Sequence, residues 1–216
     1  MIPVLDETEA RVAGALIEKQ LTTPEYYPLS LNALTNACNQ KNNRDPIVAY
    51  DESRVMAAID RLRAKNIVIT VTGTGIRVPK YKQNLTTLLA LAPGEVAAMC
   101  VLLLRGPQTV GEIRTRTAPM HQFQNLAEVE EVLAALGGRS PDPLTVQVPR
   151  RPGQKEVRFC HLLSGSPALT TTDPVVGVPA GDPRIEQLET EVRALREVIE
   201  QIANELADFK KQFDAS

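Results

Sequence analysis

Two histidines and three cysteines are the chain's whole stock of imidazole and thiol. Cys38, Cys100 and Cys160 are widely spaced and form no Cys-x-x-Cys pair, so neither a disulfide framework nor a zinc knuckle is expected. Each sits among apolar neighbours and reads as a small buried filler. His121 and His161 lie in no metal-ligand spacing. Cys160 and His161 are adjacent on an expected strand, which sends their side chains to opposite faces rather than pairing them as nucleophile and base. Gly73, Thr74 and Gly75 lack the strand-loop-helix setting of a phosphate-binding loop and read as a turn. The expectation is a protein that is not an enzyme, with no cofactor and no metal site.

Binding chemistry is better represented. On a helix expected over residues 51–65, Arg54, Arg61 and Lys65 fall along one flank of the exposed side, around a centre of Ser53, Ala57, Asp60 and Ala64. Small residues at Ala57 and Ala64 would allow close approach to a groove wall or to another protein. Arg77, Lys80 and Lys82 flank the turn that follows, where phosphate contacts are expected. Asn39, Gln40, Lys41, Asn42, Asn43 and Arg44 form a loop with side chains suited to bases or phosphates. Together these thirteen positions (the six loop residues, Ser53, Arg54, Arg61, Lys65, Arg77, Lys80 and Lys82) are the candidate duplex-DNA contacts. The alternative is a solvated helix face and an Asn-rich turn held by local side-chain-to-backbone bonds. Asp60 favours that alternative, because a groove-reading face rarely keeps a carboxylate.

The elements that would position these residues follow from periodicity. Val55, Met56, Ile59 and Leu62 give residues 51–65 one apolar stripe, and Asp51 can cap the first turn. Residues 67–71 are rich in β-branched side chains, residues 73–75 turn, and Ile76, Arg77 and Val78 are expected to run back before Pro79 ends pairing. Upstream, a helix is expected over 6–20 and another over 31–39, capped by Ser30. Tyr26 and Tyr27, in the loop between them, are expected to pack down. Two helices before a third that feeds a hairpin is the plan of a winged helix-turn-helix domain, with 51–65 as recognition helix and 73–75 as wing tip.

The same grammar returns about 86 residues later. Leu91, Ala92, Pro93, Gly94 and Glu95 stand before an apolar helix as Leu5, Asp6, Glu7, Thr8 and Glu9 do, and Gln108 to Ile113 answers Leu29 to Leu34. Val129, Val132, Leu133 and Leu136 stripe a third helix, and 144–148 with 156–162 supply a second hairpin around a loop holding Arg150, Arg151 and Lys155. That third helix carries Glu128, Glu130 and Glu131, which a phosphate-lined groove would repel. The second repeat is therefore expected to meet a protein partner or to brace the first.

The tail is different again. Residues 164–183 are rich in Pro, Gly, Ser and Thr and read as a flexible linker. Ile185, Leu188, Val192, Leu195, Ile199, Ile202, Leu206, Phe209 and Phe213 then alternate at spacings of three and four. That heptad pattern, with β-branched residues at a, favours a parallel two-stranded coiled coil and a homodimer. A single amphipathic helix folding back on the domains is the alternative. Residues 1–85 hold 11 lysines and arginines against 9 carboxylates, 86–163 hold 8 against 7, and 164–216 hold 5 against 10. The balance falls short of the basic stripe that marks a nucleic-acid binder by charge alone. No charged-then-apolar leader opens the chain and no run reaches the ~18 apolar residues of a membrane helix, so a cytoplasmic protein with no membrane contact is expected.

The expected fold is mainly α with small β-hairpins, an α+β arrangement: winged-helix domains at 1–85 and 86–163, a linker at 164–183 and a coiled-coil helix at 184–216. Leu16, Ile17, Glu18, Lys19 and Gln20 with Thr23, Pro24, Glu25, Tyr27, Pro28, Leu29 and Ser30, then Ala37, Cys38, Asn39, Gln40 and Lys41 with Arg44, Asp45 and Pro46, resemble the YceH-like family of uncharacterised bacterial proteins. So do Leu102, Leu103, Leu104, Arg105 and Gly106, and the Arg158, His161, Leu162 strand. The resemblance covers essentially the whole chain and implies two winged-helix domains with a trailing helical segment. It implies no activity. Two functional classes stay open: a regulator-like DNA-binding dimer, and a winged-helix protein–protein adaptor.

Overall fold

The first helix, α1 (Glu7–Thr22), is the member around which the described chain is built. Its start is fixed by a reciprocal cap: the Asp6 carboxylate accepts from the Glu9 N–H at 2.8 Å, and the Glu9 carboxylate accepts from the Asp6 N–H at 2.7 Å. Residues from Thr8 to Glu18 are all buried, so α1 shows no broad solvent face and must be covered on several sides. The computed structural model describes residues 4–73, 77–149 and 156–165, all within one compact unit, Met1–Ala168. The wing-tip positions Thr74 and Gly75, the return-strand position Ile76, the loop cations Arg150, Arg151 and Lys155, and the linker beyond residue 165 lie outside the described residues. So does the heptad from Ile185 to Phe213.

A two-residue strand β1 (Leu29–Ser30), α2 (Leu31–Cys38) and α3 (Glu52–Ala64) follow. Ser30 caps α2 through the Ala33 N–H, and Asp51 caps α3 through the Arg54 N–H. Val55, Ala58, Ile59 and Leu62 form the buried stripe of α3. β2 (Val68–Val71) and β3 (Lys80–Gln83) are antiparallel, with Val71 opposite Lys80 and Val68 opposite Gln83, and β1 lies on the other side of β3.

This corrects the expected return strand. Arg77 and Val78 sit in an exposed bend, and the partner of β2 begins after Pro79. Pro79 has no N–H to give a ladder. The alternation of Lys80, Tyr81, Lys82 and Gln83 puts Tyr81 and Gln83 inward, and this polar-aromatic pattern outweighs the short apolar run before it. Tyr26 is a second correction. It caps no core but stands 72% exposed on a single turn, while Tyr27 packs inward and its hydroxyl accepts from the Gln83 N–H at 2.6 Å.

After a short helix α4 (Leu85–Leu88), the order recurs: α5 (Pro93–Arg105), α6 (Val110–Thr117), α7 (Leu126–Gly137), then β4 (Thr145–Val148) paired with β5 (Arg158–His161). Even the edge strand has a counterpart. Gln108 and Phe159 exchange both backbone hydrogen bonds, at 2.9 and 2.7 Å, placing Gln108 beside β5 as Leu29 lies beside β3.

The two halves meet along α1 and α5 in one continuous core. Gly14 is where the helices come closest. A Cβ there would stand 2.9 Å from Leu104 Cδ2 and Cγ, and the Cys100 thiol reaches the Gly14 carbonyl at 3.5 Å. Bracing between the halves thus runs through α5. Glu130 and Glu131 lie on the exposed side of α7.

Candidate nucleic-acid interface

The basic flank of α3 is tied to the N-terminus of α1, even where its side chains stay partly exposed. Lys65 donates to both Glu9 oxygens, at 2.8 and 2.6 Å, and to the Val4 carbonyl at 2.7 Å. Arg61 donates to Glu9 at 3.3 Å and to Asp6 at 2.8 Å. Arg54 lies 4.3 Å over the Tyr50 ring and donates to the Thr8 hydroxyl at 3.1 Å. Burial alone would raise the Asp6 carboxyl, but the Glu9 N–H and the Arg61 charge outweigh it and hold it below its ordinary value.

The second half repeats the device. Arg139, just past α7, donates to the Glu95 carboxylate at 2.9 Å and to the carbonyls of Leu89 and Ala90, while Glu95 accepts from the Ala92 N–H at 2.8 Å. In each half, the cation after the third helix clamps the carboxylate that caps the first. Lys65 and Arg61 therefore hold elements together, which removes them from the freely available cations expected on this face.

The loop after α2 is committed in the same way. Asn39 closes it by a two-way bond with the Tyr50 backbone, at 2.7 and 2.8 Å. Arg44 is a correction to the expected surface set: its side chain is fully buried, bonded to both Glu18 oxygens at 2.9 and 2.6 Å and to the Ala37 carbonyl. Gln40 accepts from Arg44, and Asn43, at a left-handed φ of 60°, accepts from Arg105. Lys41 and Asn42 stand exposed and are not engaged in this network.

What α3 presents outward is nearly neutral. Ala57 and Ala64 are exposed, and Ser53 donates to Asp51 at 2.9 Å. Glu52 accepts from Asn32 at 3.1 Å, and Asp60 pairs with Arg63 at 3.1 Å. Arg63 was not among the expected contacts; its spacing from Asp60 in the last turn is the signal that could have shown it. Lys80 and Lys82 share the outer face of the sheet with Ile69, and Arg77 and Val78 are exposed in the bend. Among the described residues no ion pair engages Lys41, Arg77, Lys80 or Lys82. The structure thus sets Lys80 and Lys82 together on the outer face of the sheet, and ties Arg54, Arg61 and Lys65 to α1 and its approach while Arg54 and Arg61 stay partly exposed.

The groups with chemical potential lie apart from this face. All three cysteines are free and buried; burial pushes the Cys38 thiol up to about 12 and raises Cys100 and Cys160 as well. Burial drives His161 down to about 4, and its Nδ1 has no hydrogen-bond partner among the described residues. His121 stacks edge-on against Phe123. Among the described residues no group of three or more His, Cys, Asp or Glu side chains is placed to hold a metal ion, and no helix is long and apolar enough to cross a membrane.

Comparison with known proteins gives one consistent result. The family model described as "Protein of unknown function, DUF480" matches residues 5–154. A UPF0502 protein of Opitutus terrae is 51% identical over 195 residues, covering 90% of this chain and 84% of the relative. A UPF0502 protein of Geobacter sulfurreducens is 49% identical over 218 residues, covering 98% and 99%. One from an Azoarcus species is 43% identical over 214 residues, covering 97% and 94%.

Proposed function

Because the chain belongs to the family of unknown function DUF480, we propose a role from its own surface: a tandem winged-helix protein whose first repeat holds duplex DNA weakly, through its wing rather than its helix. The observation that carries this is the set of sheet and bend cations, Arg77, Lys80 and Lys82, which no ion pair engages among the described residues, with Lys80 and Lys82 on one outer sheet face. The winged-helix reading is supported by the order α1, β1, α2, α3, hairpin, with strand order β1-β3-β2, and by its recurrence after α5. Phosphate contacts from a wing position a protein without reading sequence. With Arg54 stacked on Tyr50, little on α3 remains to discriminate bases. The carboxylates Glu128, Glu130 and Glu131 on α7 keep the second repeat off the duplex and suit it to a protein partner. The heptad from residue 185 supports a homodimer that presents two wings.

A protein-docking adaptor is the second reading. Glu52 and Asp60 on the outward face of α3, and the internal use of Arg61 and Lys65, favour it. The full-length protein titrated with duplex DNA across a salt series separates the two. Three phosphate contacts per copy give a slope of log K against log[salt] of about −2.7 with one wing engaged and about −5.4 with both wings of a dimer engaged, from roughly 0.9 per contact. The triple substitution Arg77→Gln, Lys80→Gln, Lys82→Gln should abolish retention at low salt. Absence of duplex binding by the unsubstituted protein at low salt would overturn the DNA reading and leave the adaptor.

A further inference from the structure

A second charged locus lies where α1, the loop after α2, α5 and α6 adjoin. A cleft of about 40 Å³ opens there, lined by Arg105 and Arg116 together with Val101, Leu104, Pro119 and Met120. Its carboxylates are already spoken for. Glu18 is held by both Nη atoms of the buried Arg44, and Glu112 is shared between Arg158 at 2.9 Å and Arg116 at 3.5 Å. Among the described residues Arg105 meets no carboxylate within pairing distance; its partner is the amide oxygen of Asn43.

The cluster therefore carries an excess of positive charge that the protein itself leaves incompletely answered. Asp45 and Glu18 offset part of it at longer range. The C-terminal ends of α5 and α6, each equivalent to roughly half a negative charge, offset more. With Arg44 matched by Glu18, Arg105, Arg116 and Arg158 stand against Glu112 alone, about two positive charges before these offsets and no more than about one after them. Partial burial, with the neighbouring Arg116 and Arg44 charges, holds the Arg105 guanidinium below its ordinary value, the direction expected of a cation lacking its counter-ion.

We infer that this cleft binds a small organic oxyanion, with a carboxylate or phosphate head between the Arg105 and Arg116 guanidiniums and its apolar part against Pro119 and Met120. Two planar forks present paired donors that match the oxygens of either head group. At roughly 10–15 Å³ per water, the recess has room for about three waters, which suits a head group and leaves the rest of the ligand outside. Glu18 on the wall and the small opening disfavour a polymer backbone. The site ties the loop after α2 to α5 and α6, so an occupant would bear on the junction between the two repeats.

The test is calorimetric titration of the full-length protein with inorganic phosphate, phenyl phosphate, acetate and benzoate, each to 10 mM at constant ionic strength. Saturable binding is expected, tighter for phenyl phosphate than for inorganic phosphate, or for benzoate than for acetate. Saturation by the phosphates alone assigns a phosphate head, and saturation by the carboxylates a carboxylate head. Arg105→Gln and Arg116→Gln should each weaken binding at least tenfold, Arg105→Lys should weaken it less, and Lys82→Gln should leave it unchanged. Phosphate also strengthens folding by exclusion from protein surfaces, so a thermal shift alone does not count. If Arg105→Gln fails to fold, Arg116→Gln, on the surface of α6, carries the test. Absence of saturable binding by all four probes, or equal isotherms for the wild type and Arg116→Gln, would overturn the site.

Discussion

Replacing Lys65 by Met should destabilise the fold without touching DNA affinity. Glu9 is only 1% exposed at its side chain and is held by three donors: the Asp6 N–H, Lys65 and Arg61. Removing one partner of a buried ion pair costs about 3–5 kcal/mol when the remaining charge is left bare. Here Arg61 still reaches Oε1 and the Asp6 N–H still reaches Oε2, and Met keeps most of the apolar stem. The expected cost is therefore about 2 kcal/mol. Arg61→Met alone removes a half-exposed partner and should cost about 1 kcal/mol. The double substitution leaves Glu9 with one backbone donor, so the costs should exceed additivity and approach about 4 kcal/mol. At roughly 2–4 °C per kcal/mol for a chain of this size, Lys65→Met should lower Tm by about 4–8 °C in calorimetry. The salt slope of duplex binding, measured well below Tm, should not change. A double variant with unchanged Tm and a slope shallower by about two would refute the internal clamp and return both cations to a binding face.

Two further outcomes follow from the geometry. Gly14→Ala should cost about 1–3 kcal/mol by thermal denaturation despite Ala's better helix propensity, because its Cβ would meet Leu104 at 2.9 Å and Leu103 Cβ at 3.1 Å; an unchanged or raised Tm would show that α5 can step aside. His161 is held neutral down to about pH 4, while its unfolded form protonates near 6.5, so the unfolded state binds more protons between those values and stability should fall as pH is lowered through that window. The loss is bounded at about 3 kcal/mol, and His161→Phe should flatten that limb of the stability curve.

Much of this fold is legible in the residues because helices announce themselves locally. Apolar spacing and the caps Asp6, Ser30 and Asp51 place the first three helices within one or two residues. The second set follows from self-similarity. β1 escapes because two residues cannot display an alternation, and β3 because a proline can open a strand as readily as close one, and Pro79 opens this one. The candidate site was harder to read for a different reason. Exposure of a cation on a helical wheel says nothing of a partner far along the chain. Arg54 meets Thr8 across 46 positions, Arg61 and Lys65 meet Glu9 across 52 and 56, and Arg44 meets Glu18 across 26. One signal was available: Glu9 sits at the third position of a helix apolar on most sides, where a buried carboxylate needs a cation. The parallel placement of Arg139 and Glu95 in the second half points the same way.

The shared core decides how the binding face can be studied. Asp45 donates its N–H to the Leu104 carbonyl, and Leu5 donates to the Leu163 carbonyl, so both the loop after α2 and the chain before α1 lean on the second half. α1 is covered by α2 and α3 on one side and by α5 on another. Cutting the chain near residue 85 would expose the surface that α5 covers around Gly14 and would release the Asn43 contact with Arg105. A fragment of the first half would then show sticky apolar surface and a loosened loop, and DNA retention by it would say little about the wing. Substitution in the full chain avoids this. Lys80 and Lys82 project from the outer side of β3, away from the core that unites the halves, so their removal alters charge and leaves the packing in place.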